Sequence, residues 1–128
     1  MNLFHLDTDF LIWALEAPGT QRRRLLELVD SGAEVGMSAV AWYEFSRGPR
    51  TPNQLAVARS FFSLTGILGF SEELAARSAD VFRSLGCPRN RANDIAIGVS
   101  ATASDAILLT RNTRDFDGIP GLKLECGL

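Results

Sequence analysis

Short apolar runs alternate along this chain with longer stretches of helical period. Residues 2–6, NLFHL, form a compact apolar run ending at an acid, as a strand buried in a parallel sheet does. Thr8 is placed to cap a helix whose apolar residues Phe10, Leu11, Ile12, Trp13 and Leu15 lead to the breaker Pro18-Gly19. Residues 20–32, TQRRRLLELVDSG, put Leu25, Leu28 and Val29 on one face of an amphipathic helix, with Gly32 as its stop. EVGMS (34–38) reads as a second strand, and Ser38 can cap a helix over AVAWYEFSRG that ends near Gly48-Pro49.

The second half repeats the alternation. Residues 52–66 and 71–86 read as helices, the latter with Glu72 and Glu73 in its first turn, and ILGF between them as a short strand. A small-residue helix is predicted over about 93–104, followed by the strand AILLT and a last strand over 121–125. Strands alternating with helices imply right-handed crossovers and a mostly parallel central sheet flanked by helices, an α/β fold. In such sheets a ligand site lies beyond the carboxyl ends of the strands, where Asp7 falls.

Composition narrows the function classes. With 128 residues and 46% hydrophobic content the chain can bury one sizeable core, so a single domain over residues 1–128 is expected. A net charge of −2 provides no global basic field for nucleic acid, so a nucleic-acid role needs a local device. Cys87 and Cys126 lie far apart and form no zinc or disulfide pattern. With no export leader and no long apolar span, a cytoplasmic protein without membrane contact is expected.

The chemistry gathers at four acids in comparable places: Asp7 after the first strand, Glu44 in the helix after the second, Asp94 opening the small-residue helix, and Asp115 after LLTRNTR. Glu44 has Val40, Ala41, Trp42 and Phe45 as helical neighbours, and a lone carboxylate in such a setting would neutralise. Several together repel unless a divalent cation offsets them, and an oxygen-only set favours a hard ion, Mg²⁺ or Mn²⁺. Each acid taken singly also fits a cap or a turn. Asp9, one turn into its helix, is expected to favour the helix dipole and to stay off the central set. His5 reads as a core histidine, since no GxSxG elbow accompanies it, and no GxGxxG or Walker run is present.

The stretches LDTDFLIW, SAVAWYEFSRG, NDIAIGVSA and LLTRNTRDFDGIPGLKL, in this order, resemble the four motifs of the PIN-domain nucleases, and within them the VapC-type toxins of bacterial toxin–antitoxin modules. The resemblance implies a PIN-like three-layer α/β/α fold with Asp7, Glu44, Asp94 and Asp115 as the catalytic acids, Asp7 and Asp94 being the direct metal ligands. Thr8, Thr110 and Asn112 would support the site. Arg89, Arg91, Arg111 and Arg114, beside two of the acids in sequence, are candidates to hold flanking phosphates. The implied activity is Mg²⁺-dependent endonucleolytic hydrolysis of RNA, with Mn²⁺ as a substitute. A VapB-like antitoxin, gripped between the helices at 20–32 and 52–66, and a second copy in a homodimer are the implied partners. A housekeeping RNA-processing nuclease and a non-cleaving RNA-binding module are the alternatives.

Overall fold

The computed structural model describes residues 2–126. Five strands, β1 (Leu3–Leu6), β2 (Glu34–Ser38), β3 (Ile67–Leu68), β4 (Ile107–Thr110) and β5 (Lys123–Cys126), form one sheet in the order β3-β2-β1-β4-β5. Every pairing is parallel, with His5 opposite Gly36 on one side and Leu108 on the other. Among the described residues six α-helices flank it: α1 (Thr8–Glu16), α2 (Thr20–Asp30), α3 (Ala39–Ser46), α4 (Pro52–Arg59), α5 (Glu72–Ser84) and α6 (Ala92–Ala103). This is the α/β/α arrangement, and the sheet is entirely rather than mostly parallel.

The strand order fixes where a site can form. From β1 the chain steps outward to β2 and β3, then jumps back past β1 to β4 and β5. The reversal leaves a switch point between the carboxyl ends of β1 and β4, and loops there diverge to opposite sides. Right-handed crossovers put the helices of the two outward steps on one face and α5 and α6 on the other. Helix α6 lies along β2 and β4, and α1 packs on α2 and α3.

Local sequence accounts for most element ends. Ser38 caps α3 by accepting the Ala41 N–H, and Thr51 closes a reciprocal capping box with Gln54 at the start of α4. The core is built from both helix faces and the central strands: Leu6, Phe10, Leu11, Phe45, Ile95, Ile97, Leu108 and Leu109 are essentially inaccessible. Among the described residues no helix is long and apolar enough to cross a membrane.

Three sequence expectations change. Asp7, not Thr8, caps α1, because its Oδ1 accepts the Phe10 N–H at 2.7 Å and Thr8 is already helical. The buried stripe of α2 is Gln21, Leu25 and Leu28, whereas Val29 is 44% exposed; the i, i+4, i+7 spacing turns Val29 outward. Helix α4 stops at Arg59 instead of running to 66. The Arg59 guanidinium donates to the carbonyls of Phe62, Ser63 and Leu64, which holds a tight turn and lets Phe62 enter the core.

His5 is buried as expected and lies across Gly36 of the neighbouring strand. A Cβ on Gly36 would stand 2.7 Å from the Gly66 carbonyl oxygen and 3.3 Å from His5 Nε2, so only glycine allows this approach.

Candidate active site

At the carboxyl end of β1, Asp7 is 6% exposed and both of its oxygens are engaged. Oδ1 takes the Phe10 N–H, and Oδ2 accepts the Thr110 hydroxyl at 2.5 Å from the end of β4. Thr110 in turn accepts the Asn112 N–H at 3.0 Å, so the two strands of the switch point are bolted together behind the carboxylate. The Asp7 side chain is therefore fixed by a helix start and a neighbouring strand, both rigid supports.

Glu44 comes from α3, directly beside α1. Its Oε1 accepts the Thr8 hydroxyl at 2.8 Å and its Oε2 the Asn93 amide at 3.0 Å. Arg47, one turn on, stands 3.9 Å from the same Oε2. The apolar neighbours in sequence do not bury it: the side chain is 19% exposed and turns into a cleft. Asp94 sits in the first turn of α6, and among the described residues its carboxylate accepts no hydrogen bond. Asp115 lies in a 3₁₀ turn over Thr113–Phe116, anchored by buried Phe116, and its Oδ2 accepts the Asn112 side-chain amide at 2.8 Å.

These elements converge on one cleft of about 250 Å³ lined by Asp7, Thr8, Asp9, Glu44, Arg47, Asp94 and Asp115. Two helix starts, the last turn of α3 and a 3₁₀ turn, from distant parts of the chain, thus deliver four acids to one place. A sequence profile of the PIN domain matches residues 5–122, nearly the whole chain. The chain belongs to the PIN-domain family. It is 28% identical over 120 residues to Ribonuclease VapC19 of Mycobacterium tuberculosis, covering 92% of this chain and 95% of that protein. Among solved structures, a toxin–antitoxin complex from Klebsiella pneumoniae superposes with a TM-score of 0.73 at 26% identity, over 100% of this chain and 98% of the other. The DNA-bound VapBC of Salmonella typhimurium gives a TM-score of 0.74 at 23% identity over all of both chains, which establishes the shared fold.

Within this PIN domain the other singled-out residues take distinct places. Thr110 is buried behind the cleft and bonded to Asp7, whereas Asn112 is exposed beside it and bonded to Asp115. Arg91 does not face the cleft as a free cation. Its guanidinium donates to the carbonyls of Asp115 and Asp117, so it clamps the loop that carries Asp115. Arg111 stacks over Trp13 at 4.1 Å in an adjoining cleft, and Arg89 and Arg114 are exposed without lining either one. Asp9 is exposed, in the first turn of α1 as expected, and also borders the acidic cleft. Arg47 and Asn93 escaped the sequence reading. The i, i+3 relation of Arg47 to Glu44 was the available signal, while Asn93 adjoins Asp94 with no local mark of its reach to α3.

The electrostatics follow from this crowding. Burial raises the Asp7 carboxyl to about 6 against the stabilising Thr110 and Phe10 hydrogen bonds, with the charges of Asp9 and Asp115 adding to the rise. Asp94 is pushed to about 7, first by burial and then by the charges of Asp115, Glu44, Asp7 and Asp9. Carboxylates in this state gain from a nearby cation. An all-oxygen donor set with no histidine or thiol fits a hard divalent ion, and Mg²⁺ takes one or two carboxylates and completes its shell with water or phosphate. Among the described residues no three acidic, histidine or cysteine side chains form a ready-made ligand group.

His5 works against these acids in the pH response. Burial lowers it from 6.5 to about 4, so the unfolded chain binds the proton first and stability tied to His5 is lost as pH falls from about 6.5 to 4. Asp7 and Asp94 rise from 3.8, so the folded protein retains protons that the unfolded chain releases. Their contribution falls as pH rises, through about 6 for Asp7 and about 7 for Asp94. In metal-free buffer the Tm advantage of Asp94→Asn over the wild type is therefore expected to be near zero at pH 4, grow up to about pH 7 and then level off. Thermal melts at half-unit pH steps check this, and parallel curves for the two proteins would contradict it.

Proposed function

We propose that residues 1–128 act as one PIN domain with Mg²⁺-dependent endoribonuclease activity, the toxin of a VapBC-type module held silent by a VapB-like antitoxin. The observation that carries this reading is the convergence of Asp7, Glu44, Asp94 and Asp115 on one cleft at the switch point. The name of the Mycobacterium relative and the complexes among the structural neighbours supply its biological frame.

In this reading Asp7 and Asp94 hold the ion, and Mn²⁺ can replace Mg²⁺. When bound, the ion supplies a more acidic water and offsets charge building on the phosphate and leaving oxygen. Thr110 and the Phe10 N–H keep the Asp7 carboxylate in one orientation, so the site needs little reorganisation when substrate arrives. Glu44, held by Thr8 and Asn93, and Asp115, held by Asn112, line the same cleft and would orient water or accept its proton. The raised values of Asp7 and Asp94 belong to the metal-free cleft, and a bound cation would favour the ionised form of both.

An antitoxin helix gripped between α2 and α4 would meet the exposed Leu26 and Val29 of α2 and the exposed Val57 of α4. An open groove lies between the end of α1, α3 and α4, lined by Leu15, Glu16, Phe45, Arg50, Asn53, Gln54 and Val57. A short helix with an apolar face and polar edges fits it, and Val57 remains 47% exposed there. A homodimer and a cytoplasmic location complete the proposal.

The toxin reading is tested in a bacterial host carrying the chain under an inducible promoter. Induction of the wild type is expected to arrest growth with accumulation of RNA fragments, and induction of Asp7→Asn to leave growth unchanged. Normal growth with intact RNA at equal wild-type protein levels would overturn it.

A further inference from the structure

Beside the acidic cleft and sharing Asp9 with it lies a second cleft of about 290 Å³ lined by Asp9, Trp13, Arg111 and Asn112. Trp13 is 46% exposed on the outer side of α1, an unusual place for the largest apolar side chain. The Arg111 guanidinium lies 4.1 Å over its ring, and Arg111 itself is exposed. A guanidinium packed on an indole keeps its outer plane and its N–H edges free while losing the freedom of a long side chain. Position adds to this. Arg111 stands between Thr110, bonded to Asp7, and Asn112, bonded to Asp115, so its backbone is tied to two of the four acids.

From this arrangement we propose that Trp13 and Arg111 form a stacked platform for one nucleotide of a single-stranded RNA, next to the phosphate held in the acidic cleft. The proposal rests on the nuclease reading of that cleft. Unpaired bases are recognised by stacking on aromatic rings and on guanidinium planes, with hydrogen bonds to their edges. Here the stack supplies the plane and the charge, and Asp9 and the Asn112 amide supply an acceptor and a donor beside it. Trp13 is the positioning residue and Arg111 the contact. The platform is the local cationic device that a chain of net charge −2 requires. It also separates the roles of the arginines: Arg91 holds a loop, whereas Arg111 meets substrate.

The test uses the full chain in Mg²⁺ with one ten-nucleotide single-stranded RNA. Initial rates are measured for wild type, Trp13→Ala, Trp13→Phe, Arg111→Ala and the Trp13→Ala/Arg111→Ala pair, with melting temperatures alongside. KM is expected to rise about tenfold in Trp13→Ala with kcat within about twofold, on the scale found for lost base stacking. Trp13→Phe should recover most of the loss, and the double variant should be no worse than Arg111→Ala, because Trp13 acts through Arg111. Tryptophan fluorescence gives the second readout: saturable quenching by the RNA in wild type that is absent in Trp13→Phe. An unchanged KM in Trp13→Ala, or a loss confined to kcat and stability, overturns the platform and leaves the exposed indole to a protein partner. If the wild type leaves the RNA intact, the nuclease reading fails. The platform is then decided by fluorescence alone, kept by quenching that requires Trp13 and rejected without it.

Discussion

Asp94→Asn is expected to cut RNA cleavage by roughly two orders of magnitude or more, the effect of removing a few kcal/mol of transition-state stabilisation, while making the metal-free protein more stable. The two effects have one cause. Asp94 is raised to about 7 by burial and by the charges of Asp115, Glu44, Asp7 and Asp9, and among the described residues its carboxylate accepts no hydrogen bond that an amide would lose. Neutralising it removes a repulsion and breaks nothing. Half-exposure screens the gain, leaving about 1 kcal/mol, or roughly 3–5 °C in Tm for a domain of this size. Asp7→Asn lacks this clean signature, because Oδ2 of Asp7 receives the Thr110 hydroxyl and an amide nitrogen placed there would force Thr110 to reorient. A variant at Asp94 that is both inactive and less stable would mean that the carboxylate supports the fold. Circular-dichroism melts in EDTA, paired with cleavage rates in Mg²⁺, measure both quantities on one preparation.

Metal removal is the second large effect. EDTA in excess is expected to abolish cleavage, and readdition of Mg²⁺ or Mn²⁺ to restore it. Saturating ion should also raise Tm by several degrees, since a ligand at a hundredfold its Kd stabilises the folded state by about 2.7 kcal/mol. The rise should shrink in Asp94→Asn, which has lost one of the two proposed ligands, and survive in a variant of an acid outside the cleft such as Asp80→Asn, which lies on α5. Ion-induced stabilisation of equal size in all three proteins would indicate diffuse binding to surface acids.

Much of this was legible in the sequence because the signals are local. The strand NLFHL ending in Asp7, the Ser38 cap of α3 and the small-residue helix over Ala92–Ala103 each follow from spacing and end chemistry. The mostly parallel sheet expected from alternation and crossover handedness is parallel at every pairing. What the sequence concealed depends on tertiary contacts. Whether Asp7 or Thr8 caps α1 is settled by where Glu44 needs the Thr8 hydroxyl, a partner from another helix. The early end of α4 reflects Phe62 reaching the core, which overrides a helical pattern continuing past Arg59. Arg91 and Arg111 look alike in sequence, each a few residues from an acid. Only the fold turns one toward backbone carbonyls and stacks the other on Trp13.

The central claim is that a specific set of carboxylates, not the acidity of the region, performs the hydrolysis. Asp7 and Asp9 are two residues apart, and both border the cleft, yet Asp7 is buried at the strand end whereas Asp9 is exposed at the rim. Asparagine keeps the cap at position 7 and the charge loss is identical at both sites. The most direct measurement is therefore the cleavage rate of one single-stranded RNA in Mg²⁺ by Asp7→Asn and Asp9→Asn, side by side with the wild type. The account predicts no detectable cleavage by Asp7→Asn and a rate within about tenfold of wild type for Asp9→Asn, the loss of a rim charge being worth about 1 kcal/mol. Equal losses at the two positions, or an active Asp7→Asn protein with a folded melting curve, would contradict it.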